Sequence, residues 1–283
     1  MIRPLIDLTK PRITWLILMS TGVGFVFGAR LGWTWWTLLH CLLGTGLLAS
    51  GTAALNQWYE RDADAKMDRT KGRPLPSGLV SPVVAFWFGL SLIAAGFFDL
   101  ALGNNWLTAG LGLFTAVSYL ACYTPLKQRS THATTIGAVP GAMPPMIGFA
   151  AASGTLTVEA WILFAILFLW QFPHFYAIAW MYREDYAKAS MRMLSVVEPD
   201  GESTARRIFW TSIALVPLSV LPRFFGMAGD IYTVGVLIIG ALFVYTTFRV
   251  LRHLTRAGAR TVLLASVIYL PVLYGLLVFD RGL

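Results

Sequence analysis

Hydrophobic residues run along this chain in long blocks rather than in the strict alternation of a half-buried strand or the narrow stripe of a soluble helix. Nine such blocks can be drawn, at about 12–31, 35–57, 81–102, 105–124, 134–152, 157–182, 207–225, 230–250 and 261–280. Each lies near the ~20 residues an α-helix needs to cross a bilayer. The pattern predicts an all-α integral membrane protein, a bundle of about nine transmembrane helices. No polar segment between the blocks is long enough to bury a core of its own, so one membrane domain over 1–283 is expected. The fifth block, "ATTIGAVPGAMPPMIGFAAA", carries three prolines and three glycines and is expected to be kinked or broken. The first block follows "MIRPLIDLTKPR" directly, with no small-residue cleavage site, so no cleavable leader is expected.

Composition sharpens the class. Hydrophobic residues make up 57% of the chain and charged ones only 13%, about half the share of a soluble domain. Cys41 and Cys122 both fall inside apolar blocks and read as small buried hydrophobes. No Cys/His spacing suggests a zinc site. The net charge of +8 would suit nucleic acid in a soluble protein. Here it is accounted for by loops, so no nucleic-acid partner is expected. Of the 22 lysines and arginines, all but Arg30, Arg223 and Arg281 fall on one side when the loops are sorted alternately. The bias predicts an odd number of spans, with the N-terminus and these loops in the cytoplasm and the C-terminus outside.

Residues 56–78, "NQWYERDADAKMDRTKGRPLPSG", break the apolar pattern, with nine charges between Glu60 and Arg73. Asn56, Glu60, Asp64 and Asp68 are spaced four apart. If the second helix continues past the membrane surface, Asn56, Glu60 and Asp64 share one of its faces. Such a row of oxygens suits Mg²⁺, which takes carboxylates together with substrate phosphate oxygens and water. Arg69 and Arg73 suit phosphate as bidentate donors, and Lys71 suits it as a point charge. The plainer reading is a solvated helix end paired at i,i+4.

A second cluster follows the sixth block, in "WQFPHFYAIAWMYREDYAKASMRML". On a continuous helix Asp185, Lys188 and Arg192 share a face, and His174, eleven residues before Asp185, lies on that face about three turns deeper. Pro173 marks an expected kink. An ionisable side chain inside a span is a candidate functional group; the plain alternative for His174 is a neutral histidine hydrogen-bonded within the bundle. A third piece, "YTPLKQRSTHATTIGAVPGAMPPMIG", brings Tyr123, Lys127 and Arg129 to the same side, where positive-inside charge is the competing explanation. From the residues alone these three pieces describe a pocket for an amphiphilic diphosphate bridged by magnesium, with its apolar tail in the bundle. A cation channel or transporter using the acidic row is the reading from another class. Clustering of the charges at one face and the lack of an internal repeat argue against it.

At these residues the chain resembles the UbiA-type intramembrane prenyltransferases, and within them the haem-modifying branch. The resemblance rests on "KPR" before the first span, "N-x-x-x-E-x-x-x-D" running into "MDRTKGRPLPSG", "YTPLK" before "PGAMPPMIG", and "WQFPHFYAIAWMYREDY" leading to "ML". It implies a UbiA-like bundle and a magnesium-dependent transfer of farnesyl from farnesyl diphosphate to a vinyl group of haem b, with water added. It implies Asn56, Glu60, Asp64 and Asp185 as catalytic residues, with Asp68 joining them as metal ligands. Arg69, Lys71, Arg73, Lys127, Arg129 and Lys188 would hold the diphosphate. His174 is the candidate haem contact, through iron or a propionate. Phe172, Phe175, Tyr176 and Trp180 are candidates to shield the allylic cation, against the plainer reading that they simply pack. The sequence departs from the family's first motif, where Gln57 and Glu60 stand in place of aspartates. In the second motif only Asp185 remains, with Met181 and Ala177 one and two turns before it. A quinone precursor or chlorophyllide is the alternative acceptor. The lipid bilayer, in a bacterial host the inner membrane, is the expected setting, and haem-pathway or oxidase-assembly proteins are the natural partners.

Overall fold

The computed structural model describes residues 2–29 and 33–281; Arg30, sorted above to the sparsely charged side, lies outside the described residues. The described chain is helical apart from loops and one isolated bridge between Ala228 and Arg281. A short helix, α1 (Ile2–Leu8), precedes α2 (Pro11–Gly28), α3 (Trp35–Asp64), α4 (Pro82–Gly103) and α5 (Trp106–Val117). A π-helical turn, Ser118–Tyr123, continues α5 into α6 (Thr124–Leu126). Then come α7 (Ala133–Gly141), α8 (Pro144–Ser153), α9 (Val158–Met181), α10 (Arg183–Lys188) and α11 (Leu194–Val197). The chain ends with α12 (Glu202–Phe224), α13 (Asp230–Arg252) and α14 (Arg256–Phe279). Among the described residues, eight stretches are long and apolar enough to cross a membrane. The predicted block 207–225 forms α12, which is long enough but opens with Arg206 and Arg207 and carries Pro217, Pro222 and Arg223. It packs against α9 and α13 as part of the bundle.

The breaks have local causes. The fifth block splits, as expected, into α7 and α8 at Ala142–Met143, where Pro144 and Pro145 can start a helix but cannot continue one. Pro125 has no N–H to give to the preceding turn, and the π-helical turn lies just before it. Cys122 rides on the outer face of that turn and is exposed, contrary to the buried position expected of it; Cys41 is buried. Helix α2 lies directly on α8, and small residues make the approach possible. A Cβ added at Gly24 would sit 1.9 Å from the Pro145 carbonyl oxygen, and one at Gly148 1.9 Å from that of Thr21.

Helix α2 also touches α3, and α5 touches both α3 and α8, so these four form the walls of one compartment. The larger core joins α9, α12, α13 and α14, with Trp170, Tyr176, Ile208, Tyr232, Phe243 and Leu273 among its buried members.

Candidate active site

Helix α3 runs for 30 residues, well past its apolar part, and this extension builds the site. Asn56, Glu60 and Asp64 do share one face, and the packing around them buries all three, at 1%, 5% and 1% exposure. Each meets a cation or donor from another part of the chain. The Lys10 ammonium donates to Asn56 Oδ1 at 3.0 Å, and the Asn56 amide donates to Thr124 Oγ1 at 3.2 Å. Lys127 Nζ lies 2.8 Å from Glu60 Oε1 and 4.6 Å from the centre of the Tyr123 ring, one turn before it. Arg73 reaches back from the following loop to donate to Asp64 Oδ2 at 2.7 Å. The loop is held under the helix end by buried Thr70, whose hydroxyl donates to the Asp64 carbonyl at 2.9 Å.

Three cations thus face two buried carboxylates. Burial lowers the Lys10 pKa to about 7; repulsion from Arg73 and Lys127 adds to this and outweighs the pull of Glu60 and Asp64. Burial alone would also lower Lys127. The Glu60 carboxylate at 2.8 Å more than reverses this and holds it well above the ordinary lysine range. The Lys10 backbone lies in the left-handed region at φ 49°, uncommon for lysine, and from there its side chain meets Asn56.

Beside Lys10 lies a cavity of about 140 Å³. Ile13, Thr14 and Ile17 of α2 line it, as do Thr45, Leu48, Ala49, Thr52 and Ala53 of α3. Helix α5 and the π-helical turn add Gly112, Ala116 and Tyr119, and the α7–α8 break adds Pro140, Gly141 and Pro144. The lining is apolar except at Lys10 and for the hydroxyls of its threonines and Tyr119. Those of Thr14, Thr52 and Thr115 donate to backbone carbonyls. A cation at an apolar slot, with two more along the adjoining acidic row, is what an amphiphilic diphosphate requires.

Comparison with known proteins agrees. Residues 17–273 match the UbiA prenyltransferase family. The chain belongs to that family. Membership makes it an integral membrane prenyltransferase, and its eight stretches of membrane-spanning length and apolarity accord with the membrane setting. Relatives named protoheme IX farnesyltransferase include one from Solibacter usitatus, 58% identical over 99% of both chains. Another, from Koribacter versatilis, is 46% identical over 99% of this chain and 94% of its own. Among solved structures, a digeranylgeranylglyceryl phosphate synthase overlays with a TM-score of 0.82 at 16% identity, over 99% of this chain and 98% of its own. A UbiA homologue from Aeropyrum pernix overlays at 0.73 and 20% identity, over 95% and 97%. One from Archaeoglobus fulgidus, bound to GPP and Mg²⁺, overlays at 0.64 and 15%, over 97% and 99%. At such identities the likeness to the solved structures is one of fold.

Against this UbiA frame the other expected site residues sort clearly. Gln57, in place of a family aspartate, is 1% exposed and donates to the Leu8 carbonyl at 2.9 Å, tying α1 to α3. It takes no part in the acidic row. Asp68, expected among the metal ligands, stands in the loop beyond α3, which ends at Asp64. Its carboxylate is exposed and pairs with Lys71 at 2.8 Å and with Lys188. Lysine hydrogen bonds hold Asp68 down to about 2, that of Lys188 contributing most, and Lys188 is raised in turn. Asp185 accepts the backbone N–H groups of Asp68 and Arg69, both at 3.3 Å. It clamps the loop after α3 to α10. Arg69 lies over the Tyr182 ring at 4.9 Å, and Arg129 is exposed in the turn after α6. Lys71 and Lys188 are engaged by Asp68. Of the expected diphosphate ligands, Arg73 and Lys127 therefore reach the buried acidic row.

His174 does not keep the expected register to Asp185. The chain breaks helix at Tyr182 (φ −113°), between α9 and α10, so the eleven-residue register from His174 to Asp185 does not hold. Helix α10 ends at Lys188, which takes Arg192 off the Asp185 face; its N–H donates to the Lys127 carbonyl at 2.8 Å. Helix α9 itself runs through Pro173. The His174 ring stacks on Trp170 and its Nδ1 is 2.9 Å from Ser266 Oγ on α14, away from the cavity lining. Phe172, Tyr176 and Trp180 are buried in the larger core, and neither they nor Phe175 line the cavity; the packing reading fits them. Lys10 is the residue missed in composition-level reading. Its signal was the "KPR" before the first span, set against an asparagine rather than a carboxylate.

Proposed function

We propose that this protein transfers the farnesyl group of farnesyl diphosphate to a vinyl group of haem b, with addition of water, giving haem O and diphosphate. The observation that carries the reading is the surplus of part-buried cations, with Lys10 lining an apolar cavity and Lys127 and Arg73 on the carboxylates one and two turns beyond Asn56. Full-length relatives at 58% and 46% identity carry the name protoheme IX farnesyltransferase and support the choice of donor and acceptor. The basic end of the bundle would face the cytoplasm, in bacteria at the inner membrane.

The residues fit a magnesium ion. Asp64 Oδ1 is buried with no hydrogen-bond partner, and Glu60 lies one turn before it. Among the described residues no three acidic, histidine or cysteine side chains converge into a closed metal cage. That suits an ion completed by phosphate oxygens and water rather than by protein alone. Asn56, Glu60 and Asp64 would hold it, with Asp185 positioning the loop beside them. When bound, magnesium would neutralise charge developing on the diphosphate.

The chain's own groups do the rest. Arg73 and Lys127 exchange part of their carboxylate contacts, and Lys10 its contact with the Asn56 amide oxygen, for phosphate oxygens, and the three stabilise the leaving diphosphate as the allylic C–O bond ionises. The apolar slot keeps bulk water from the farnesyl cation, which would otherwise end as farnesol. The haem vinyl group supplies the electron pair for the new C–C bond. Water then captures the cation left on the haem side chain and loses a proton.

The test is turnover by purified protein in lipid with haem b, farnesyl diphosphate and Mg²⁺, read by mass spectrometry of the haem. A farnesylated, hydrated haem that disappears on chelation is expected. Diphosphate release with unchanged haem would keep the prenyltransferase and discard this acceptor.

A further inference from the structure

We infer that Tyr119 is a further catalytic residue, whose ring face meets the allylic cation left on the prenyl donor as diphosphate departs; this rests on the proposed prenyl transfer, with the tail entering the cavity beside Lys10. Among the described residues that line that cavity, Tyr119 alone is aromatic. The rest of the lining offers a cation aliphatic carbon, threonine hydroxyls and the like charge of Lys10. Phe172, Tyr176 and Trp180 belong to the larger core instead.

A chain of hydrogen bonds fixes Tyr119 at the Lys10 end of the cavity. Lys10 donates to Asn56 Oδ1 at 3.0 Å, the Asn56 amide to Thr124 Oγ1 at 3.2 Å, and the Thr124 hydroxyl to the Tyr119 carbonyl at 2.9 Å. That carbonyl also accepts the Thr124 backbone N–H, which closes the π-helical turn. The turn sets the rings of Tyr119 and Tyr123 together, their centres 4.9 Å apart. Helix α7 packs directly on the second ring: a Cβ at Gly137 would fall 2.4 Å from Tyr123 Cδ2. The Tyr123 ring already carries Lys127, 4.6 Å from its centre. Tyr119, one turn earlier, is the ring that borders the cavity.

C1 of the donor is bonded to a diphosphate oxygen. A diphosphate held at Lys10 therefore brings C1 and C3, which share the positive charge, to this end of the cavity. When the C1–O bond breaks, both of its electrons leave with the diphosphate. The ring forms no bond and gives up no proton; its face, negative through the π quadrupole, attracts the cation, and more strongly for being away from water. The intact donor carries no charge at C1, so the attraction arises only as the bond ionises and acts on kcat rather than on binding.

The experiment reads diphosphate release and haem product separately, with the protein in lipid. It adds the affinity for farnesyl thiodiphosphate, whose C–S bond ionises far less readily. Tyr119→Leu is expected to lower kcat about 30-fold and to leave that affinity within about threefold. Tyr119→Phe keeps the ring face and is expected to lose no more than about threefold in kcat. The same Tyr119→Phe ring carrying one, two and three fluorines keeps its shape while its face loses negative charge. Along that series kcat is expected to fall stepwise, by about tenfold in all. The series also serves if Tyr119→Leu does not fold. A flat series would overturn the inference. So would a loss in Tyr119→Phe as large as in Tyr119→Leu, which would assign the effect to the hydroxyl. A stepwise series in diphosphate release, with haem unchanged, would support the inference and overturn the haem acceptor. Absence of diphosphate release from wild type would overturn both.

Discussion

Helix α3 carries ionisable groups at both ends, and the two ends differ in what surrounds them. At the start, His40 Nδ1 lies 2.7 Å from Asp99 Oδ1 of α4, both side chains 17% exposed. Trp36 packs edge-on to the histidine ring, and Asn104 donates to the Thr37 carbonyl beside it at 2.7 Å. One acid meets one base, and the pair bridges two helices that pack along most of their length. At the far end, Glu60 and Asp64 meet Lys10, Arg73 and Lys127, and an apolar cavity opens alongside. Both ends satisfy the rule that charge in a membrane helix needs a partner. Only the far end has charge left over. An unbalanced set of cations beside a cavity invites an anion, whereas a balanced pair is a clasp.

Asp64→Ala tests this contrast most severely. It removes the carboxylate with a free buried oxygen and leaves Arg73 without its partner. Turnover is expected to fall on the order of 10³-fold, with chelation of magnesium equally damaging. Thermal unfolding measured alongside separates this from loss of fold. Lys127→Met comes next. It takes one cation from the diphosphate and strands Glu60, and kcat/KM is expected to drop about 10²-fold. Steady-state kinetics over farnesyl diphosphate concentration reads it.

Lys10 sharpens the comparison through pH. With its pKa near 7, the ammonium is charged below that value and neutral above it. Affinity for farnesyl diphosphate is therefore expected to weaken above pH 7, by at most about tenfold per unit, and binding near neutrality to take up a proton. Calorimetric titration in buffers of different ionisation heat measures both, and Lys10→Met is expected to flatten the profile. Stability moves the other way. The unfolded chain binds more protons at this group between about pH 7 and its ordinary value of 10.5, so the folded state gains as pH rises through that window.

The smallest effect on turnover is expected at the other end. Asp99→Asn should change kcat by no more than about twofold while lowering stability by ~1–3 kcal/mol, the cost of a weakened buried hydrogen bond. Unfolding in detergent checks the stability and the haem assay checks kcat. A collapse of turnover like that of Asp64→Ala would erase the distinction between the two ends.

Much of this was legible beforehand, and the reason is locality. Apolar blocks of span length become spans because lipid offers no other partner for the backbone. The prolines of "PGAMPP" break the fifth block where they stand. Asn56, Glu60 and Asp64 share a face because helical spacing requires it once α3 is continuous. The same logic carries no further than a helix runs. Helical spacing registers His174 to Asp185 only across the turn at Tyr182, and Arg192 to Asp185 only past the end of α10 at Lys188. Helix termination there depends on how the loop and α10 dock, which no four-residue spacing reports.

By itself, then, the order of residues determined the helical class, the approximate spans, the asymmetry of charge and the acidic row of α3, since each follows from contacts within a few residues or from the chain's contact with lipid. Tertiary structure alone decided which cation meets which oxygen. Lys10 finds Asn56 across 46 residues, Lys127 finds Glu60 from a different helix, and Gln57 turns to the Leu8 carbonyl instead of joining the acidic row. It also decided that His174 faces Ser266 rather than the cavity. Those choices rest on the packing of α2, α3, α5 and α8 around a shared space, where burial makes each unpaired charge costly and so selects the pairing that satisfies them together.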